Sequence, residues 1–229
     1  MSRVARSLWK TYRPVMFWFW GIVTAVSVLV SAILAAVTEV RHSFWVMIAG
    51  QASKWWLLVV GTLLVAVHLK LFIANGLTRR AFLLGSGVFG LLSAVAFAAL
   101  VPIGHGVERL VWALVGAPPA DYPGFSAAIA LREFGHFLPG GLAYLVTGVA
   151  VAAGFYRYPW WAGLLLVVPG AVPLLAAEGL LGLYDAATLP ATRLLPFAGA
   201  LAVSLGLTAL GALMARQVLH DVAIRRPAG

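Results

Sequence analysis

Residues 55–101 read WWLLVVGTLLVAVHLKLFIAN (55–75), GLTRRAF (76–82) and LLGSGVFGLLSAVAFAALV (83–101). Each apolar arm has the roughly 20 residues a helix needs to cross the hydrocarbon core of a bilayer. Between the arms lies a short turn carrying Arg79 and Arg80. Basic residues in short loops concentrate on the cytoplasmic side, so this turn is expected there. That placement orients every other segment.

Composition makes the same point for the whole chain. Of 229 residues, 62% are hydrophobic and 10% charged, against about 25% charged in a soluble domain. A soluble globule is excluded, and the length allows about six crossings. There is no cysteine, hence no disulfide frame, thiolate metal site or cysteine nucleophile. The formal charge of +9 would point to nucleic acid in a soluble protein; here it is expected to hold topology against anionic lipid instead. Arginine outnumbers lysine, as in GC-rich bacterial genomes.

The expected fold is all-α: a polytopic bundle of six transmembrane helices with an amphipathic N-terminal helix and both termini cytoplasmic. The predicted spans are 15–37, 55–74, 81–103, 141–156, 160–183 and 195–214, forming one domain over 1–229. Before the first span, Arg3, Arg6, Lys10 and Arg13 share one helical face, and Val4, Leu8, Trp9 and Tyr12 another. This pattern predicts a helix lying in the headgroups, with Pro14 marking the bend into the bilayer. The apolar run after it is too long for a cleavable signal peptide. Phe17 to Trp20 form an aromatic belt, and Thr24, Ser27, Ser31 and Ala35 a small-residue packing stripe.

Outside the spans, Phe44 to Ala49 is too short to cross and is expected in the outer interface. Residues 104–130 read as the longest polar stretch, with Glu108, Arg109, Pro118, Pro119, Asp121 and Pro123, and FSAAIALREFGHF as a short outer helix broken at Pro139-Gly140-Gly141, the whole outer segment being 104–140. Pro169 and Pro173 predict a kinked or broken fifth span. Ala200, Ser204, Thr208 and Ala212 make a second small-residue stripe. In this layout Arg3, Arg6, Lys10, Arg13, Lys70, Arg79, Arg80, Arg157, Arg216, Arg225 and Arg226 fall inside. Arg41, Lys54, Arg109, Arg132 and Arg193 fall outside, so the bias favours cytoplasmic ends.

Few residues suggest chemistry. Ionisable groups within spans are candidates for function by default, which singles out His68 and Glu178 for a pathway or gate. His68 has a competing reading as a neutral histidine bonded to a neighbouring helix, and Lys70 is expected to snorkel. Glu178 is expected to face the interior, pair with a cation or sit at the outer water boundary. Glu133-x-x-His136 has the spacing of di-iron bundles; the spans supply no carboxylate besides Glu178, so a structural role on a surface helix is expected. Gly85-Ser86-Gly87 reads as a helix-crossing motif, and His105 as a loop residue with no partner at ligand spacing. No phosphate-binding loop is present. No catalytic residue, metal site or cofactor is expected, and the chain by itself is not expected to be an enzyme.

The layout, together with the stretch Asn75-Gly76-Leu77-Thr78-Arg79-Arg80-Ala81-Phe82, resembles the membrane subunits of exporter-type (type-2) ABC transporters. The resemblance implies that Asn75, Gly76, Leu77, Thr78, Arg79, Arg80 and Phe82 form a segment coupling to a separate ABC ATPase. Residues 2–13, with Arg3, Arg6, Lys10 and Arg13, would be the interfacial helix. It further implies a dimer with a second permease copy or paralogue, residence in the bacterial cytoplasmic membrane, and export of a substrate. The family often places re-entrant helices between spans five and six, whereas here the long outer segment lies between spans three and four. The alternative is a non-transporting membrane scaffold or immunity-type protein.

Overall fold

The computed structural model describes residues 3–37, 42–115, 122–182 and 195–220. Arg41, Pro118, Pro119, Asp121, Arg193, Arg225 and Arg226, read above as lying outside the spans, are not among them. Among the described residues, six helices are long and apolar enough to cross a membrane: α1 (Arg3–Val37), α2 (Phe44–Ala74), α3 (Arg79–Val115), α4 (Ala127–Arg157), α5 (Trp160–Leu181) and α6 (Phe197–His220). The protein is a multi-pass, all-helical membrane protein.

Several boundaries differ from the sequence reading. The separate interfacial helix is not found, because α1 is one helix from Arg3 with Pro14 inside it. Pro14 is exposed, where water or headgroups can satisfy the carbonyl it leaves unbonded. The amphipathic pattern is real but has a protein partner: Val4, Leu8 and Tyr12 are buried in the main core cluster, while Arg3, Arg6, Lys10 and Arg13 are exposed.

Phe44 to Ala49 is the start of α2 and not an interfacial piece. Ser43 caps it, its extended backbone leaving Oγ to accept from the Val46 amide at 3.2 Å. Pro102 and Pro139 do not end helices either; both lie inside continuous runs. The segment 104–140 is therefore mostly helix, with α4 capped by Ser126 accepting from the Ile129 amide at 3.3 Å. At 1.5 Å per residue, the 37 residues of α3 reach about 55 Å, well beyond a hydrocarbon core of about 30 Å. The expected break in the fifth span does occur. α5 is interrupted at Leu166 between Trp160–Leu165 and Val167–Leu181, just where Pro169 has no N–H for the Leu165 carbonyl.

The hub of the bundle is α4, which packs against α2, α3, α5 and α6. Of its most apolar window 67% is buried, against 11% for α1. Small residues let it sit there. A Cβ on Gly148 would lie 2.2 Å from the Leu58 carbonyl oxygen, and one on Gly61 would lie 2.2 Å from that of Leu145. Thus α2 and α4 meet backbone to backbone.

One end of the bundle gathers the basic turns. Arg79 Nη1 donates to the His220 carbonyl at 3.1 Å, and Arg157 Nη1 donates to the Val218 carbonyl at 2.9 Å. Two arginines thereby satisfy carbonyls at the negative end of α6. The Tyr12 ring lies 5.4 Å from that of His68, bringing the start of α1 to the same end.

Candidate functional site

Two polar side-chain pairs lie against a single face of α4, one of them including its Glu133. Residues 133, 136, 137, 140 and 144 recur at helical spacing. At the end opposite the basic turns, Glu133 Oε1 lies 2.6 Å from His105 Nδ1 of α3, and neither side chain has any exposure. The other atoms of the pair, His105 Nε2 and Glu133 Oε2, are buried without a hydrogen-bond partner. Phe125 stands edge-on to the His105 ring at 5.2 Å, and His136 is buried one turn below Glu133. Such a pair can share a single proton between ring nitrogen and carboxylate. Glu133→Gln, which keeps a hydrogen-bonding group of the same size, is expected to lower the detergent melting temperature less than Glu133→Leu. The leucine leaves His105 with both ring nitrogens unpaired, at a cost of about 1–3 kcal/mol. Equal melting of the two variants would show that the hydrogen bond carries no stability.

Further along the face, Lys54 Nζ of α2 meets Glu178 Oε1 of α5 at 2.8 Å. The ammonium also lies 5.9 Å from the centre of the Phe137 ring and 6.0 Å from that of Tyr144. The Lys54 stem rests on Gly140, where a Cβ would come within 3.2 Å of it. Glu178 is thus paired with a cation inside the bundle, one of the arrangements anticipated for it. Lys54, assigned above to the exterior, is inside α2.

A third polar group caps α3 beyond His105. Glu108 accepts hydrogen bonds from Ser43 and, at 3.4 Å, from Ser31, tying α1 and the start of α2 to α3. Arg109 stands over the Tyr122 ring at 5.8 Å. The Tyr122 phenol is pushed well above its ordinary range, by burial first and by the neighbouring Glu108 carboxylate second.

No family model, curated protein or solved structure matches this chain.

Besides Glu178, the residues singled out from sequence fall into three places. His68 lies within a π-helical stretch of α2, Leu64–Leu69. Its Nδ1 is 3.1 Å from the Leu63 carbonyl of its own helix, so its hydrogen bond is not to a neighbouring one. His68 and Glu178 are not brought together. The 75–82 turn is an exposed tip on a buried root. Gly76 has φ +79, the Asn75 side-chain amide donates to the Leu71 carbonyl at 2.7 Å, and Thr78 Oγ1 accepts from the Ala81 amide at 3.2 Å. Asn75, Gly76, Thr78 and Arg80 are exposed. Phe82 is buried at 1% and Leu77 packs on the same cluster. Phe82 therefore anchors the turn and cannot itself touch a partner. The arginines of α1 form the third group, on its exposed side.

Lys54, Glu133, His105 and Tyr144 escaped the sequence reading as a connected set. The signal was present in the helical spacing of Glu133, His136, Gly140 and Tyr144, and of His105, Glu108 and Arg109. Pro102 and Pro139 mask it, because each lies inside a continuous helix at a point where proline ordinarily marks an end. Among the described residues, no group of three or more histidine, cysteine or acidic side chains is placed to hold a metal ion.

Proposed function

We propose that this protein is the membrane-spanning permease subunit of an exporter driven by a separate ATPase subunit. The observation that carries the reading is the construction of the 75–82 turn. Its tip is polar, basic and exposed, and two side-chain hydrogen bonds and a positive-φ glycine hold its shape. Its root is wired into the core through Phe82, whose ring lies 5.6 Å from Phe72. A push on such a turn moves α2 and α3 as a unit, because backbone cannot unravel in lipid while packed helices can tilt. ATP-driven closure of the partner would supply the push, and a second permease copy the opposing wall. The His105–Glu133 and Lys54–Glu178 pairs lie toward the other end, tying α3 to α4 and α2 to α5.

Arg80 is the residue on which to test this, since Arg79 is engaged with α6. Protein purified from its native membrane is expected to carry nucleotide-hydrolysing activity, and Arg80→Glu is expected to remove most of it while leaving the melting temperature unchanged. Arg216→Gln, a change of charge on the same end but outside the turn, is expected to retain it. Native protein that purifies without any ATPase would overturn the reading in favour of a non-transporting scaffold.

A further inference from the structure

A cavity of about 320 Å³ lies between α3 and α6 at the basic end, floored by α2 and α4. Its volume is within the range of small-ligand sites. The two helices that flank it barely touch. Leu84, Leu91 and Ala212 on its rim are exposed, so it opens sideways, toward the lipid. Leu145 and Leu219 form part of its apolar wall, and Ser86 adds no free polar group because its hydroxyl donates to the Phe82 carbonyl at 2.8 Å.

The charged lining is Arg80, from the first turn of α3, and Arg216, near the end of α6, with His220 beside them. Among the described residues, no acidic side chain lines the cavity. In the last turn of α6 the carbonyls of His220 and Val218 are already bonded by Arg79 and Arg157, which add further positive charge at this end. Arg80 and Arg216 have no hydrogen-bond or ion-pair partner among the described residues. An apolar slot facing hydrocarbon, with two uncompensated guanidinium groups at its headgroup end, has the complement of an anionic phospholipid.

We propose that the slot between α3 and α6 is a binding site for one phospholipid with an anionic headgroup. Acyl chain lies along Leu84, Leu91 and Leu145, and the phosphate bridges Arg80 and Arg216. The lipid fills the gap that the protein leaves between these two helices, and it binds whether or not an ATPase is attached.

The test uses the full chain in phosphatidylcholine vesicles containing a minor fraction of phosphatidylglycerol with a photoreactive group in its acyl chain. After irradiation, labelled peptides are mapped. Labelling is expected within 84–91 and 212–219, at roughly tenfold the level given by photoreactive phosphatidylcholine. Arg80→Gln with Arg216→Gln should abolish the preference, while Arg3→Gln with Arg6→Gln, an equal charge change on α1, should preserve it. If the first pair fails to fold, Arg216→Gln alone should lower the preference several-fold. Equal labelling by the two lipids, or full competition by millimolar inorganic phosphate, would overturn the assignment, the latter by showing a site for the free ion. Because Arg216→Gln is expected to spare the ATPase, failure of the lipid site and failure of the permease reading give different results.

Discussion

Gly148→Leu is expected to abolish the folded, monodisperse protein recovered in detergent, and Gly148→Ala to lower its melting temperature strongly. A Cβ at this position meets the Leu58 carbonyl oxygen at 2.2 Å and the Thr62 amide nitrogen at 3.0 Å. Both are backbone atoms of α2, so no rotamer change relieves the clash. The helices must move apart, and the reciprocal contact between Gly61 and the Leu145 carbonyl at 2.2 Å is lost with them. In lipid there is little hydrophobic drive to bring helices together, so close backbone approach supplies much of the packing energy. Because α4 also carries α3, α5 and α6, separation at this point propagates through the bundle. We expect a cost of about 3 kcal/mol or more for the leucine. Gly87 and Gly206 have nothing within 4 Å of a built Cβ, and alanine at either should leave melting unchanged. Wild-type melting of Gly148→Leu would show that α2 and α4 do not meet in this way.

The second large effect is expected at the Lys54–Glu178 pair, and it should be asymmetric. Removing one partner of a buried pair leaves the other charge uncompensated, at about 3–5 kcal/mol. The Lys54 side chain is 4% exposed and that of Glu178 is 28% exposed. A stranded carboxylate can therefore recover some hydration, whereas a stranded ammonium cannot. Glu178→Leu should then cost more than Lys54→Met, and the double variant should recover most of the loss. The measurement is a double-mutant cycle on detergent melting. Additive losses, with no recovery in the double variant, would mean that each residue acts through other contacts.

Charge pattern and helix geometry divide the legibility of this chain. The hairpin of α2 and α3 was legible because two apolar arms flank Arg79 and Arg80, and nothing but a membrane accommodates that sequence. The face containing Val4, Leu8 and Tyr12 was legible as amphipathic, but its partner was not. An apolar stripe has the same spacing whether it meets lipid or protein, and here it meets the core. Pro14, Pro102 and Pro139 misled in a consistent direction. In water a proline interior to a helix is costly and marks an end. In a bilayer, ending the helix would expose still more backbone, so the helix continues. That single difference concealed the length of α3 and α4, and with it the burial of His105 and Glu133. Lys54 was misplaced for a related reason: α2 begins at Phe44, ten residues before it, so a residue read as lying before the span is inside it. The break at Leu166 was anticipated because Pro169 and Pro173 lie in one short helix.

By itself the sequence determined that the chain is helical, that it crosses a membrane several times, and that its basic turns share an end. Those properties follow from composition, span length and charge, which act through the solvent and need no knowledge of neighbours. Only the tertiary structure decided which helix stands at the centre, which charges meet, and where a gap remains between helices. Those depend on how closely two particular backbones can approach, as at Gly61 and Gly148, and on which distant side chains then fall within hydrogen-bonding distance.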